Sequence, residues 1–164
     1  MKIILLGMKG VGKTSLGAKL AVKFGCSFID TDCEIERRFG RGPREIFLFE
    51  GERRLREIEH KVLADLLNDF QSDGDSVIAL GGGAFISSEN QKILRSHGKL
   101  ICLHMSRESL LKRWDGWPPI CQSMEAFESY YEVRLQKLRE LSCVWIDATR
   151  ADLIDIVTRV CHGK

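Results

Sequence analysis

Residues 2–14 read KIILLGMKGVGKT, and this stretch decides the fold. Lys2–Leu6 is a short apolar run of the kind that forms a buried strand, and it ends at Gly7. Within Lys13–Phe24 the apolar residues recur at helical spacing, so a helix follows the glycine-rich turn. The eight residues that begin at Gly7 match the pattern G-x-x-x-x-G-K-[ST]. A strand, this loop and a helix in that order predict a backbone cradle for phosphate groups.

Each residue type in the loop has a physical purpose. The glycines allow successive N–H groups to point inward at phosphate oxygens, and the helix start adds its positive dipole end. Lys13 is expected to contact the β and γ phosphates, and the Thr14 hydroxyl to ligate Mg²⁺. The flanking strand and helix argue against a glycine turn without a ligand. The predicted ATP-binding residues of the loop are Gly7, Lys9, Gly10, Val11, Gly12, Lys13, Thr14 and Ser15.

The remainder of the chain alternates short apolar runs with helical patterns. Such alternation predicts one α/β domain with a parallel sheet covered by helices on both faces. Its length of 164 residues also suits one domain. The five predicted strands are Lys2–Leu6, Ser27–Ile29, Val77–Leu80, Lys99–Leu103 and Cys143–Ile146.

Composition excludes several classes of function. Lys and Arg number 25 against 23 Asp and Glu, so the net charge of +2 does not suggest a nucleic-acid binder. No apolar run approaches the roughly 20 residues that cross a membrane. The six cysteines lack metal-site spacing and are expected to be buried free thiols in a cytoplasmic protein.

Two further motifs stand where strands end. Asp30 and Asp32 follow the second strand and are expected to share one side of it, as residues two apart do. One could hold Mg²⁺ while the other accepts a proton from an attacking hydroxyl, or either could cap the next helix; position alone favours neither interpretation. Gly81–Gly83 close the third strand, and three consecutive glycines indicate that a ligand or backbone approaches closely there.

Two arginines on predicted helices are ambiguous taken singly. Arg56 and Glu59 have the spacing of an ordinary surface ion pair, which contributes only tenths of a kcal/mol. Arg134 has the same simple interpretation, a charge on a solvated helix face. A guanidinium group also matches a carboxylate through two parallel hydrogen bonds, so either residue could bind an anionic substrate.

Taken together, the motifs resemble those of the shikimate kinases. The resemblance covers nearly the whole chain in the order of the family. It rests on the phosphate loop, Asp30-Thr31-Asp32, the segment from Glu50 to Glu59, Gly81-Gly82-Gly83-Ala84, and Arg134 on a late helix. It implies a three-layer P-loop kinase fold with a five-stranded parallel sheet in the order 2-3-1-4-5. It also implies ATP-dependent phosphorylation of the shikimate 3-hydroxyl, with Mg²⁺ as cofactor.

The resemblance assigns a role to each motif. Lys13 and Asp32 are the expected catalytic residues, and Thr14 and Asp30 the expected metal ligands. Arg113 and Arg150 are expected near the adenine. The expected substrate-binding residues are Asp32, Arg56, Gly81, Gly82, Gly83 and Arg134. It further implies an acceptor-binding segment at about residues 32–60 and a lid at about residues 112–124 of a monomeric, single-domain protein.

The lid departs from the pattern of the family. Where the family carries an arginine in this segment, the chain has Trp117, followed by Pro118 and Pro119. An indole supplies no charge to a phosphoryl transition state. Three interpretations remain open: Lys112 or Arg113 replaces the cation, Lys9 shares its work, or the protein is slow or has another acceptor. The alternatives to an active shikimate kinase are thus a kinase for another small hydroxylated acid and a nucleotide-binding homologue with reduced activity.

Overall fold

A computed structural model describes residues 1–68, 74–114, 121 and 123–163. Its centre is a five-stranded sheet in which all strands run parallel, in the order β2-β3-β1-β4-β5. The strands are β1 (Lys2–Leu6), β2 (Ser27–Asp30), β3 (Ser76–Ala79), β4 (Lys99–His104) and β5 (Val144–Asp147). The predicted fold class and strand order are confirmed.

Helices cover both faces of the sheet. They are α1 (Lys13–Phe24), α2 (Thr31–Phe39), α3 (Pro43–Asn68), α4 (Ser88–Ser96), α5 (Arg107–Arg113), α6 (Met124–Arg139) and α7 (Leu153–Cys161). No helix in the described ranges is long and apolar enough to cross a membrane.

The central strand β1 explains the three layers. Its side chains alternate between the two faces because successive residues of a strand point in opposite directions. Ile3 and Leu5 pack in one buried cluster, which includes residues of α1, α6 and α7. Ile4 and Leu6 pack in the other, which includes residues of α3 and α4. A strand buried on both faces must be apolar throughout its interior, as β1 is.

A third cluster lies away from the sheet. Ile35 of α2 packs with Ile46, Leu55, Ile58 and Val62 of α3. These residues come mostly from about residues 32–60, the segment that the family resemblance predicts to bind the acceptor. Its own small core fixes α2 against α3, so the polar side chains of both helices have a rigid support.

One expectation about the aspartates was wrong. Asp30 and Asp32 do not share a strand: β2 ends at Asp30, and α2 begins at Thr31. The cause is local, because the Asp30 carboxylate accepts a hydrogen bond from the backbone N–H of Asp32 and so caps the new helix.

The cysteines follow the sequence analysis only in part. All six are free, but only Cys102, Cys121 and Cys161 are buried, and Cys26 and Cys143 are half-buried. Cys33, in contrast, is exposed on α2.

Candidate active site

The phosphate loop lies between β1 and α1 and holds a buried ammonium group. Gly7, Gly10 and Gly12 all have positive φ, which turns the loop back around its own backbone. The Nζ of Lys13 donates hydrogen bonds to the carbonyl oxygens of Gly7, at 2.8 Å, and Met8, at 2.9 Å. Burial lowers the pKa of Lys13 to about 8, against the attraction of Asp32 and Asp30. The ammonium group of Lys13 is therefore held at the loop by neutral carbonyl oxygens. A negatively charged phosphate oxygen there would form a stronger hydrogen bond with it.

Asp30 joins the loop to α2 with its two carboxylate oxygens. One accepts the helix-capping bond from the N–H of Asp32, at 2.9 Å, and the other accepts a hydrogen bond from the Thr14 hydroxyl, at 2.6 Å. Asp30 therefore caps α2, as one of the two interpretations expected, and its other carboxylate oxygen lies beside the Thr14 hydroxyl. A hydroxyl and a carboxylate side by side are hard oxygen donors, the type that Mg²⁺ prefers. The pair thus fits the predicted metal ligands.

Asp32 lies in the first turn of α2 and faces the turn after β3. Burial raises the pKa of Asp32, and the Asp30 carboxylate adds to the rise, whereas the ammonium groups of Lys13 and Lys9 oppose it. A carboxylate whose pKa is raised in this way takes up a proton more readily than an ordinary aspartate.

Three side chains contact the backbone of Gly81–Gly83, the glycine turn that follows β3. A Cβ at Gly81 would lie 2.3 Å from Asp32 Oδ1, and a Cβ at Gly83 would lie 2.6 Å from Arg56 Nη1. The N–H of Gly81 also donates a hydrogen bond to the Thr31 hydroxyl, at 2.8 Å. Glycine is required because the backbone itself forms the wall that these groups touch.

Arg56 and Arg134 differ from ordinary surface arginines. Arg56 donates hydrogen bonds to Glu59, at 2.7 Å, and to Glu52, at 2.8 Å, and Glu59 is only 5% exposed. Although burial opposes it, contact with these two carboxylates raises the pKa of Arg56. The surface-pair interpretation of Arg56 was therefore wrong, because Glu59 is buried and the Gly83 backbone packs against the Arg56 guanidinium.

Arg134 is 8% exposed, so the solvated-face interpretation was also wrong. Its guanidinium carbon lies 3.4 Å from the centre of the Tyr130 ring, one helical turn earlier on α6. Among the described residues no group accepts a hydrogen bond from its buried Nε. Burial lowers the pKa of Arg134, because a buried cation with few partners is costly. An anion bound beside it would supply the missing acceptor.

Two clefts meet at this edge of the sheet. The first, which we call the nucleotide cleft after its predicted ligand, is lined by Lys9, Gly10, Gly12, Lys13, Thr14, Ser15, Asp30, Asp32, Leu80 and Gly82. The second, which we call the acceptor cleft after its predicted ligand, has a volume of about 130 Å³ and is lined by Lys9, Asp32, Pro43, Arg44, Phe47, Leu55, Arg56, Glu59, Gly82, Gly83, Tyr130 and Arg134. Lys9, Asp32 and Gly82 line both clefts, so they mark the boundary that a transferred group would cross.

Known proteins share this sequence pattern. The family model described as shikimate kinase matches residues 9–161. Shikimate kinases of Chromobacterium violaceum and Thiobacillus denitrificans are 38% and 37% identical over 161 and 167 residues. Those alignments cover 95% and 99% of this chain, and 85% and 88% of the relatives. The chain belongs to the shikimate kinase family.

Solved structures agree with that assignment. The shikimate kinase of Acinetobacter baumannii, in complex with shikimate, matches with a TM-score of 0.85 at 30% identity, over 99% of this chain and 93% of that one. The enzyme of Bacteroides thetaiotaomicron matches with a TM-score of 0.79 at 26% identity, over 99% and 97%. A gluconokinase from Sinorhizobium meliloti, at 19% identity and a TM-score of 0.63, shares the fold alone.

Within this family fold, the structure brings most of the predicted site residues together. Both aspartates, both cleft arginines, Gly82, Gly83 and six loop residues (Lys9, Gly10, Gly12, Lys13, Thr14 and Ser15) line the two clefts. Three predicted residues of the loop and the glycine turn, Gly7, Val11 and Gly81, line neither cleft, and Val11 is buried in the hydrophobic core. Arg113 donates a hydrogen bond to the carbonyl of Gly10, at 3.3 Å, so it lies beside the loop. Arg150 forms an exposed ion pair with Asp152 and lines neither cleft, so its adenine contact stays a prediction. Trp117 lies outside the described residues.

Three residues that lie at the site, Tyr130, Trp114 and Arg44, were not among the predicted site residues. Tyr130 stands four residues before Arg134, a spacing that places both on one helix face and could have suggested the stacked pair. Trp114 donates a hydrogen bond to the carbonyl of Lys9, at 3.1 Å, and packs edge-on against Tyr130 with ring centres 6.3 Å apart. Arg44 lines the acceptor cleft, although its sequence neighbourhood is simply basic.

Proposed function

We propose that this shikimate kinase family member transfers the γ-phosphoryl group of ATP to the 3-hydroxyl of shikimate, giving ADP and shikimate 3-phosphate. The observation that carries the proposal is the junction of the two clefts at Asp32. A phosphate cradle lies on one side of this carboxylate, and a pocket with two arginines lies on the other. That arrangement suits a hydroxylated acceptor with a carboxylate group.

The negatively charged carboxylate of the acceptor is the group that the two cleft arginines bind. Arg56 and the unsatisfied Nε of Arg134 offer donors to a carboxylate, while the Gly82 and Gly83 backbone lines the wall of the same cleft. Shikimate has one carboxylate and three ring hydroxyls. We infer that the two arginines hold the carboxylate end and leave a hydroxyl facing Asp32.

In the transfer, Asp32 orients the acceptor hydroxyl and receives its proton. The bond from that oxygen to the γ-phosphorus forms, the bond from the γ-phosphorus to the β,γ-bridging oxygen breaks, and ADP leaves with the electron pair. Lys13 and the backbone N–H groups of the loop hold the charged oxygens in place. Thr14 and Asp30 would hold Mg²⁺, which neutralises charge on the β and γ phosphates when bound.

The organisation that we propose around this chemistry is one domain spanning residues 1–164. Its acceptor-binding segment is about residues 32–60 and its lid about residues 112–124. The internal core of α2 and α3 supports the first of these assignments. A monomer in the cytoplasm, with no nucleic-acid partner, stays a prediction.

The test is a coupled ADP-release assay with ATP, Mg²⁺ and shikimate, run beside a panel of other small hydroxylated acids. We expect turnover with shikimate, and we expect Asp32→Asn to reduce kcat by about 100-fold or more while ATP affinity changes little. Asp155→Asn, at an exposed position on α7, is the matched control and should behave as wild type. Preference for another acid in the panel would reject shikimate as the acceptor. Binding of both substrates without turnover would reject the kinase activity.

A further inference from the structure

Lys9 occupies a position that no other cation of the two clefts shares. Within the described chain, five cationic side chains line these clefts. Lys13 lines only the nucleotide cleft, whereas Arg44, Arg56 and Arg134 line only the acceptor cleft. Lys9 lines both, so it is the one of these five residues that borders both clefts, and its positive charge acts on the Asp32 carboxylate between them.

The backbone of Lys9 is fixed from two sides. Its carbonyl accepts a hydrogen bond from Trp114 Nε1, at 3.1 Å. On the other side the Gly82 backbone packs directly against it, because a Cβ at Gly82 would lie 3.0 Å from the Lys9 nitrogen and 3.3 Å from its Cβ. These contacts fix the root of the side chain at the boundary of the clefts.

The end of the side chain is free to act. Lys9 is exposed, and within the described ranges its ammonium has neither a hydrogen bond nor an ion pair. Lys13 differs, since its Nζ is already bonded to two loop carbonyls, and Arg56 is bonded to two glutamates. A lysine also has four rotatable side-chain bonds, which allow the ammonium to follow a moving phosphoryl group.

The charge on a transferred phosphoryl group is spread over three oxygens that pass from donor to acceptor, and a cation aimed at that path stabilises the transition state. We propose that Lys9 is a further catalytic residue, whose ammonium contacts the γ-phosphoryl oxygens while the group crosses between the clefts. This inference rests on the proposed function. It gives Lys9 a role in the transfer step beside that of Lys13, which holds the charged phosphate oxygens in place at the loop.

The experiment compares Lys9→Met with Lys9→Arg and with Lys19→Met, a matched control on the exposed face of α1. The readouts are kcat, KM for shikimate and the Kd of a non-hydrolysable ATP analogue, with thermal unfolding as a check on the fold. We expect Lys9→Met to lower kcat by about 100-fold or more, while KM and Kd change by less than about threefold. Lys9→Arg should recover most of the lost kcat, because it restores a cation, and Lys19→Met should match wild type.

Two results would overturn the inference. One is a Lys9→Met enzyme whose kcat stays within about threefold of wild type, and the other is a loss that lies wholly in Kd for the nucleotide, which would make Lys9 a binding residue. The wild-type enzyme separates the two proposals. If it turns over shikimate and Lys9→Met does too, only the role of Lys9 fails; if wild type itself releases no ADP with shikimate, the proposed function fails and the inference fails with it.

Discussion

Two residues of the candidate site, Asp32 and Lys13, have pKa values displaced toward neutrality. Burial raises the pKa of Asp32 above its ordinary value of 3.8, and burial lowers the pKa of Lys13 from 10.5 to about 8. The two shifts have the same physical origin, because a low-dielectric site disfavours the charged form of either group. The two groups affect turnover in opposite directions as pH increases, because Asp32 must lose its proton to act and Lys13 must keep its proton.

Those signs predict a bell-shaped dependence of kcat/KM on pH, since this ratio reports groups of the free enzyme. Asp32 must be ionised to accept a proton, so activity should rise as pH increases through its elevated pKa. Lys13 must be protonated to hold phosphate, so activity should fall as pH increases through about 8. Steady-state kinetics across the pH range will measure both limbs.

Lys13→Arg supplies the control for the alkaline limb, because a guanidinium keeps its charge throughout the accessible pH range. The falling limb near pH 8 should then disappear from whatever activity the variant retains. A wild-type profile that stays flat to pH 10 would contradict the assignment of the limb to Lys13.

At the scale of elements, the bend in α3 shapes the acceptor cleft. Helical geometry is interrupted at Gly51, where φ is 87° and ψ is 168°. Pro43, Arg44 and Phe47 before the bend line the same cleft as Arg56 and Glu59 after it. A straight helix of this length could not wrap both sets around one small ligand, so the bend serves the cleft.

The bend predicts a specific cost for adding a side chain. The conformation of Gly51 is one that L-residues almost never adopt, so Gly51→Ala should lower the free energy of unfolding by about 1–3 kcal/mol. It should also raise KM for shikimate, because the two halves of α3 would shift relative to each other. Denaturant unfolding and steady-state kinetics measure the two effects.

Gly42→Ala is the matched control, because a Cβ there meets nothing within 4 Å and Gly42 has no positive φ. It should leave both quantities close to wild type. Equal losses in the two variants would show that the backbone conformation of Gly51 is not the cause.

The elements also show what sequence could predict and why. β1 and α1 match their predicted bounds because short-range features fix them: an apolar run, a glycine turn and a helical stripe. The phosphate loop was predictable for the same reason. The start of α2 was not, because two aspartates spaced by one residue fit a strand end and a helix cap equally well. The outcome depended on a single hydrogen bond from the N–H of Asp32 to Asp30.

Long-range packing explains the other errors. The burial of Arg134 depends on Tyr130 beneath it and on the opposing wall of the cleft, and the latter comes from residues far away in the chain. The pair Arg56 and Glu59 has the right spacing for a surface ion pair, and only the fold shows that Glu59 is buried and that the glycine turn packs against Arg56. Resemblance to the family identified both arginines where physical pattern alone did not.

At the scale of the whole molecule, the strand order brings the site together. Because β2, β3 and β1 are neighbours and parallel, their carboxyl ends lie along one edge of the sheet. The phosphate loop follows β1, the aspartates follow β2 and the glycine turn follows β3. Three segments far apart in sequence therefore build one site, in which cationic and acidic side chains lie close together.

Such a site should couple ligand binding to global stability. A ligand that binds only the folded state at 100 times its Kd adds about 2.7 kcal/mol, which for a chain of this size raises Tm by about 5–10 °C. We expect shikimate alone and an ATP analogue with Mg²⁺ alone each to produce such a shift in thermal unfolding. Arg134→Ala should lose the shift with shikimate and keep the shift with the nucleotide, because Arg134 lines only the acceptor cleft.

Arg53→Ala is the control for that variant, since Arg53 is an exposed arginine of α3 that pairs with Glu57 and lines neither cleft. It removes the same charge and should keep both shifts. If Arg134→Ala retained the full shift with shikimate, the acceptor carboxylate would have to be held elsewhere. If it lost both shifts, the two clefts would be energetically coupled through α6, where Tyr130 links Arg134 to Trp114 and the phosphate loop.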